Sequence, residues 1–147
     1  MNNNTVRLVT SLGLSQRLEK AGYPQGDSIF LWQVFDYPEN RGLNIVKLVA
    51  RKDVVIWEEQ YGSDHGVKWE LKYYAAALAG EIMELLPNRI DVEISKCFIM
   101  GSSVSRWACY VTYIKNEDIK MPREFYDTPA EACGEMYAYL KENGLIK

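Results

Sequence analysis

The sequence predicts an α+β fold: a single mainly antiparallel sheet with about three helices packed on it, in the order α-β-β-β-α-β-β-α. Three observations carry this expectation. Segments of strand character are joined by short polar turns, which favours antiparallel pairing. Three other segments combine a helical apolar period with their own start and stop residues. The 147 residues are 48% hydrophobic, enough for an ordinary core in one α+β domain over residues 1–147.

The first helix is expected to begin after Thr10 or Ser11. Leu14, Leu18 and Ala21 fall at i, i+4 and i+7, Gly22 supplies a stop, and Pro24 prevents resumption. Gly13 weakens its first turn by up to ~1 kcal/mol relative to Ala. Ser28 to Phe35 reads as a strand. Ile29, Phe30, Leu31 and Trp32 make it apolar on both parities, which predicts a covered, central position. A turn follows at Tyr37 to Gly42. Two more strands are expected at Ile45 to Ala50 and Val54 to Trp57, separated by Arg51, Lys52 and Asp53. Tyr61 to Gly66 reads as a loop.

Residues 67 to 74 fit two patterns. Val67, Trp69, Leu71 and Tyr73 alternate as in a strand, yet the segment also leads into a helix that reaches Leu86. An extended approach followed by a helix from about Ala76 reconciles them; Leu78, Ile82, Leu85 and Leu86 share one face and Pro87 breaks the helix. Asp91 to Met100 and Arg106 to Lys115 read as a hairpin across Gly101 to Ser105. Asn116 to Phe125 is a charged loop. The closing helix carries both of its end signals. Thr128 or Asp127 caps it, Pro129 suits the first position, Glu131 completes a capping box, and Gly144 stops it with Leu145 and Ile146 folding back.

Three of these segments carry a resemblance. Val9 to Pro24, Tyr74 to Pro87 and Phe125 to Leu145 together resemble small proteins of bacteriophages and Bacteroides-type prophages, a family with no assigned activity. Its central helix has a Pro-Thr pair where this chain has Ala77-Leu78. The resemblance implies a phage or prophage-type origin and carries over no functional residues.

Seventeen basic and twenty acidic side chains give a net charge of −3, without the overall positive field of a duplex binder. The polar start Met1-Asn-Asn-Asn4 lacks a signal-peptide pattern, and no apolar run reaches the ~20 residues of a membrane span. A cytoplasmic setting without membrane association is expected. Cys97, Cys109 and Cys133 match neither a zinc site nor a disulfide framework. Were Met100 to pair with Arg106, Cys97 would face Cys109 across the hairpin, and two reduced thiols are the expectation there.

No nucleophile elbow, phosphate loop or metal-binding string occurs, so no catalytic, cofactor-binding or metal-binding residue is assigned. The aromatics are the better signal. Trp57, Tyr61, Trp69, Tyr73 and Tyr74 surround the acidic loop around Asp64, and Trp and Tyr are enriched where proteins meet partners. The expected function is a non-catalytic module that binds another macromolecule or itself, with Trp57, Tyr61, Asp64, His65 and Trp69 as the contact surface. Two alternatives stand beside it. One is a small enzyme using His65 with Glu39, Glu58, Glu59 or Asp64. The other is a single-stranded nucleic-acid binder that stacks bases on the aromatics beside Arg51, Lys52, Lys68 and Lys72.

Overall fold

A computed structural model describes residues 3–37, 45–54, 60–64, 66–86, 94–101, 106–114 and 125–146. Helices α1 (Asn3–Val6) and α2 (Leu12–Lys20) precede strands β1 (Phe30–Asp36) and β2 (Ile45–Ala50). A 3-10 turn over Arg51–Asp53 leads away from β2. Strands β3 (Gln60–Asp64) and β4 (Val67–Ala75), helix α3 (Ala79–Leu85), strands β5 (Ile94–Gly101) and β6 (Trp107–Ile114), and helix α4 (Pro129–Glu142) complete the order. The chain is an α+β protein, and every ladder among the described residues is antiparallel.

Both well-marked helices end as their sequences require. Gly22 and Gly144 have φ of 82° and 67°, a left-handed backbone that glycine adopts without a Cβ clash. After α2, Gly22 N–H donates to Glu19 C=O at 2.9 Å and Tyr23 N–H to Leu18 C=O at 2.9 Å. After α4, Gly144 N–H donates to Lys141 C=O at 3.0 Å and Leu145 N–H to Leu140 C=O at 2.8 Å. Each is a Schellman closure, and it folds an apolar residue back onto the helix. Thr128 caps α4 by accepting from Glu131 N–H at 3.1 Å. Glu131 departs from the expected capping box: its carboxylate accepts from Ser11 N–H and ties the start of α2 to the start of α4.

The strands lie in the order β2-β1-β4-β3, with β5-β6 a separate two-stranded ladder. β1 is interior, as its apolar character on both parities predicts. Several expectations differ in detail. The Tyr61 to Gly66 region is strand β3 over Gln60–Asp64; its composition is that of a turn, and only pairing with β4 makes it a strand. Val54 follows the 3-10 turn and belongs to no strand, while 55–57 lie outside the described residues. The ambiguous 67–74 segment is extended throughout, and α3 starts at Ala79 rather than near Ala76. The hairpin pairs Met100 with Ala108, so Cys97 faces Val111 and Cys109 faces Ile99. At the start of β6, Trp107 also exchanges two 2.7 Å hydrogen bonds with Tyr126. The turns expected at 38–42 and 102–105 and the loop at 116–124 lie outside the described residues.

The described residues form two apolar cores. The larger joins α2, α3 and α4 to β6 through Leu14, Leu18, Ile82, Cys109, Met136 and Leu140. The smaller lies on one face of the four-stranded sheet, where Trp32 packs with Val9, Ala76, Phe30, Leu48 and Tyr74. Ala75, Ala76 and Ala77, each almost fully buried, form the seam between them. Inside α4, a Cβ on Gly134 would sit 2.7 Å from Leu14 Cδ2, so glycine allows α2 to approach α4 closely. Arg17 clasps the same helix pair, with Nη1 2.5 Å from Glu135 Oε2 and Nη2 2.7 Å from Glu142 Oε2.

Thr10 stitches the two cores together. It is fully buried between α1 and α2, and its N–H donates to Ala77 C=O at 2.9 Å. Its Oγ1 accepts from Ala77 N–H at 3.1 Å and pairs with Ser15 Oγ at 2.8 Å, and its C=O accepts from Trp32 Nε1 at 2.8 Å. Thr10→Val keeps the shape but strands two buried polar groups. We expect it to destabilise the fold by about 2–3 kcal/mol, read as a lower denaturant midpoint at unchanged slope. Thr10→Ser, which keeps the oxygen, should lose clearly less.

Candidate functional site

Residues paired across an antiparallel ladder share a face, and neighbours along a strand alternate. Tyr61 pairs with Glu70, whereas Gly62 pairs with Trp69. Tyr61 therefore shares a face with Glu70, Lys72 and Tyr74, and Trp69 shares the opposite face with Leu71 and Tyr73. The sheet thus divides the aromatics that lie close in sequence. Tyr61 is 67% exposed. Trp69 is half-buried, its ring 6.2 Å from that of Phe35. Its indole also covers Gly62, where any side chain would collide with it. Asp64 contributes its backbone to the pair with Val67. Trp57 and His65 lie outside the described residues, as do Glu39, Glu58 and Glu59 of the acid–base alternative.

The basic residues of the nucleic-acid alternative are also separated. Arg51 and Lys52 leave the end of β2, level with Phe30 and Ala76, while Lys68 lies at the other end of β4. Eight residues of strand place these groups about 25 Å apart. Lys72 Nζ is 2.8 Å from Glu70 Oε1, and Arg51 Nη1 donates to Gln25 C=O at 2.8 Å.

Two open clefts are lined by described residues. One, of about 530 Å³, lies between the chain start, Trp32 and the start of α4. Its charges are mixed: Arg7 and Arg106 face Asp127 and Glu131, with Arg106 Nε 3.8 Å from Asp127 Oδ1. The other, of about 830 Å³, lies between residues 27–30 and 50–53, and again sets Arg51 and Lys52 against Asp27 and Asp53. Beside it, Gln25 organises the backbone by donating to Tyr23 C=O at 3.0 Å and accepting from Ala75 N–H at 2.8 Å. Glu81 does the same at the next junction, accepting from Ile29 N–H at 3.0 Å and Leu78 N–H at 3.1 Å. Among the described residues, no group of three or more His, Cys, Asp or Glu side chains could hold a metal ion. Among them, too, no helix is long and apolar enough to cross a membrane.

The shifted protonation equilibria belong to the core. Burial pushes the Tyr23 phenol up to about 12. The Ser28 hydroxyl pulls weakly the other way, although its approach falls short of a formed hydrogen bond. Burial also raises Tyr137, whose ring meets Tyr23 edge to face at 5.5 Å. The hydrogen bond from Arg17 lowers Glu142. These groups steady the packing of α2 on α4 and line neither cleft.

The feature with the clearest capacity for recognition is the outer edge of β2. Arg51 N–H donates to Ile29 C=O at 2.8 Å, and Ala76 N–H donates to Phe30 C=O at 3.0 Å. With the register of Phe30 on Ala50, this fixes the alternation. Ile45, Lys47 and Val49 turn their backbone groups toward β1. Val46, Leu48 and Ala50 turn theirs outward, where they meet no hydrogen-bond partner among the described residues. Ile45 is 46% and Val46 39% exposed, and Lys47 carries the strand's one charge. Sequence reasoning identified this strand but not its edge position, because strand order is a long-range property. No family model matches the chain, and no curated protein or solved structure is significantly similar to it.

Two outcomes follow from these placements. Tyr61→Ala should change stability by less than about 1 kcal/mol, whereas Trp69→Ala, which uncovers Gly62 and Phe35, should lose about 2–3 kcal/mol. Chemical denaturation of both variants checks this, and equal losses would put Tyr61 in the core. At alkaline pH, the unfolded chain ionises Tyr23 near its ordinary value of ~10 while the folded chain holds its proton to about 12. Stability is therefore complete below pH ~10 and falls by about 2–3 kcal/mol as pH rises through about 12. Tyr23→Phe should flatten most of that decline, leaving the smaller share due to Tyr137.

Proposed function

We propose that this chain is a non-catalytic module that binds macromolecules through the open edge of β2. The observation that carries the reading is a six-residue edge strand with three outward N–H and three outward C=O groups, flanked by exposed Ile45 and Val46. Proteins ordinarily blunt such an edge with proline, a bulge, several charges or a covering loop, because it invites pairing with another chain. β2 has no proline, pairs with β1 in an unbroken register, and carries only Lys47. Strand addition uses such an edge productively: the main chain gives affinity, and alternate side chains give selectivity.

The separation of the basic residues and the division of the aromatics between two faces weigh against a nucleic-acid groove. A cytoplasmic setting and a phage or prophage-type origin accompany this reading as parts of the same proposal. In such a setting the buried Cys109 and Cys133 serve as small apolar side chains.

Peptide-display selection against the intact protein, followed by amide chemical-shift titration, tests the reading. Selected peptides should be extended, should perturb residues 45–50 most, and should slow exchange of the Val46, Leu48 and Ala50 amides. Val46→Pro removes one outward donor while leaving the bonds to β1, and should weaken binding at least about tenfold. Binders that map to either cleft and ignore this substitution would defeat the proposal.

A further inference from the structure

Resting on β2 as a docking edge, we infer that its occupant is a second copy of this chain. The β2 strands of two copies pair antiparallel about a two-fold axis through Leu48, and two four-stranded sheets become one continuous sheet.

The strand's own pattern selects this arrangement. A two-fold axis normal to the sheet keeps each face continuous, so residues opposite one another must share parity. With the axis at Leu48, Leu48 faces its counterpart, Val46 faces Ala50, and Lys47 faces Val49. All the outward residues then fall in hydrogen-bonded pairs. Three N–H and three C=O groups on each copy are satisfied, giving six hydrogen bonds.

Moving the axis by one residue in either direction loses part of the ladder and opposes like charges. Centred on Lys47, the two Lys47 side chains stand directly opposite each other. Centred on Val49, each Lys47 stands opposite an Arg51. Like charges directly opposite are destabilising. The Leu48 register alone among the three avoids both clashes. In it, Lys47 stands opposite Val49, with Lys47 and Arg51 of the other copy only as diagonal neighbours.

The side chains fit as well. Val46, Leu48 and Ala50 share one face, and Leu48 already packs against the Trp32 cluster. The axis sets two such clusters side by side, so Val46 is covered where it is exposed in one copy. The net charge of −3 per chain opposes association only weakly. One six-residue strand pair buries less than the roughly 1,200–2,000 Å² of a standard stable interface. The dimer is therefore weak and reversible, with a dissociation constant in the micromolar range rather than the nanomolar.

Sedimentation velocity and amide exchange on the full chain, from about 10 µM to about 1 mM, test the inference. The expected result is a monomer–dimer equilibrium in which protection rises with concentration at Val46, Leu48 and Ala50. Ile45, Lys47 and Val49 should already be protected by β1 at every concentration. In a mixture of isotope-labelled and unlabelled protein, the Hα of Lys47 should show an intermolecular contact with the Hα of Val49. Val46→Pro should shift the equilibrium to monomer with an unchanged circular dichroism spectrum; Val46→Lys, which keeps the backbone donor, should weaken the dimer through repulsion from Arg51 and Lys52. A strict monomer at about 1 mM, or a dimer whose new protection lies elsewhere, overturns the inference. If the monomer still takes extended peptides on β2, the docking edge survives and only self-pairing falls. If it takes none, both fall.

Discussion

The structure depends most on the way Thr10 is satisfied without water. A fully buried threonine would be a liability if any of its three polar groups were left alone. Here the N–H, the C=O and the hydroxyl reach three different elements: the Ala75–Ala77 seam, β1 through Trp32, and α2 through Ser15. Apolar packing is non-directional and would tolerate several placements of the chain start on the sheet. The Thr10 bonds allow one.

Around this node, long polar side chains act as backbone brackets. Gln25 holds the loop between α2 and β1 against the end of β4, where the Ala75 N–H has no strand partner among the described residues. Glu81 caps α3 and at the same time receives the N–H of Ile29, just ahead of β1. Glu131 links two helix starts. Each bracket supplies a partner to a backbone donor at the end of an element, so together they fix the entry and exit angles of the elements. Gly134 and the Arg17 clasp then bring α2 onto α4 closely enough for the helical core to exclude water.

The two ends of the sheet are not alike. At β3, the indole of Trp69 lies over a glycine, a pairing that supports a strand with little β propensity of its own. At β2, the strand is made of good β formers and its outer backbone groups meet no partner among the described residues. Stability is thus placed in the interior and in the helical layer, while the best strand former is presented at the rim. An arrangement of this kind suits recognition through the main chain. Neither mixed-charge cleft offers comparable directionality, because acids and bases in each neutralise one another.

The α+β class, the antiparallel pairing, α2, α4, β1, β2 and the hairpin were legible in the sequence. Their signals are local: Gly22 and Gly144 at helix ends, Thr128 and Pro129 at a helix start, and apolar periods of helix or strand within each segment. Such preferences act over a turn or two and need no knowledge of the rest of the chain. What tertiary structure alone decided was partner choice. Nothing near Glu131 in the sequence shows that it will bind Ser11, 120 positions away, or that Gln25 will bracket Ala75, 50 positions away. Gln60–Asp64 becomes a strand because β4 and Trp69 supply what its composition lacks. The hairpin register lies two places from Met100 on Arg106, since Met100 pairs with Ala108. The open edge of β2 exists only through the order of four strands. Hydrogen bonds, register and edge position are properties of pairs of segments, and those pairs are settled when the buried surfaces meet.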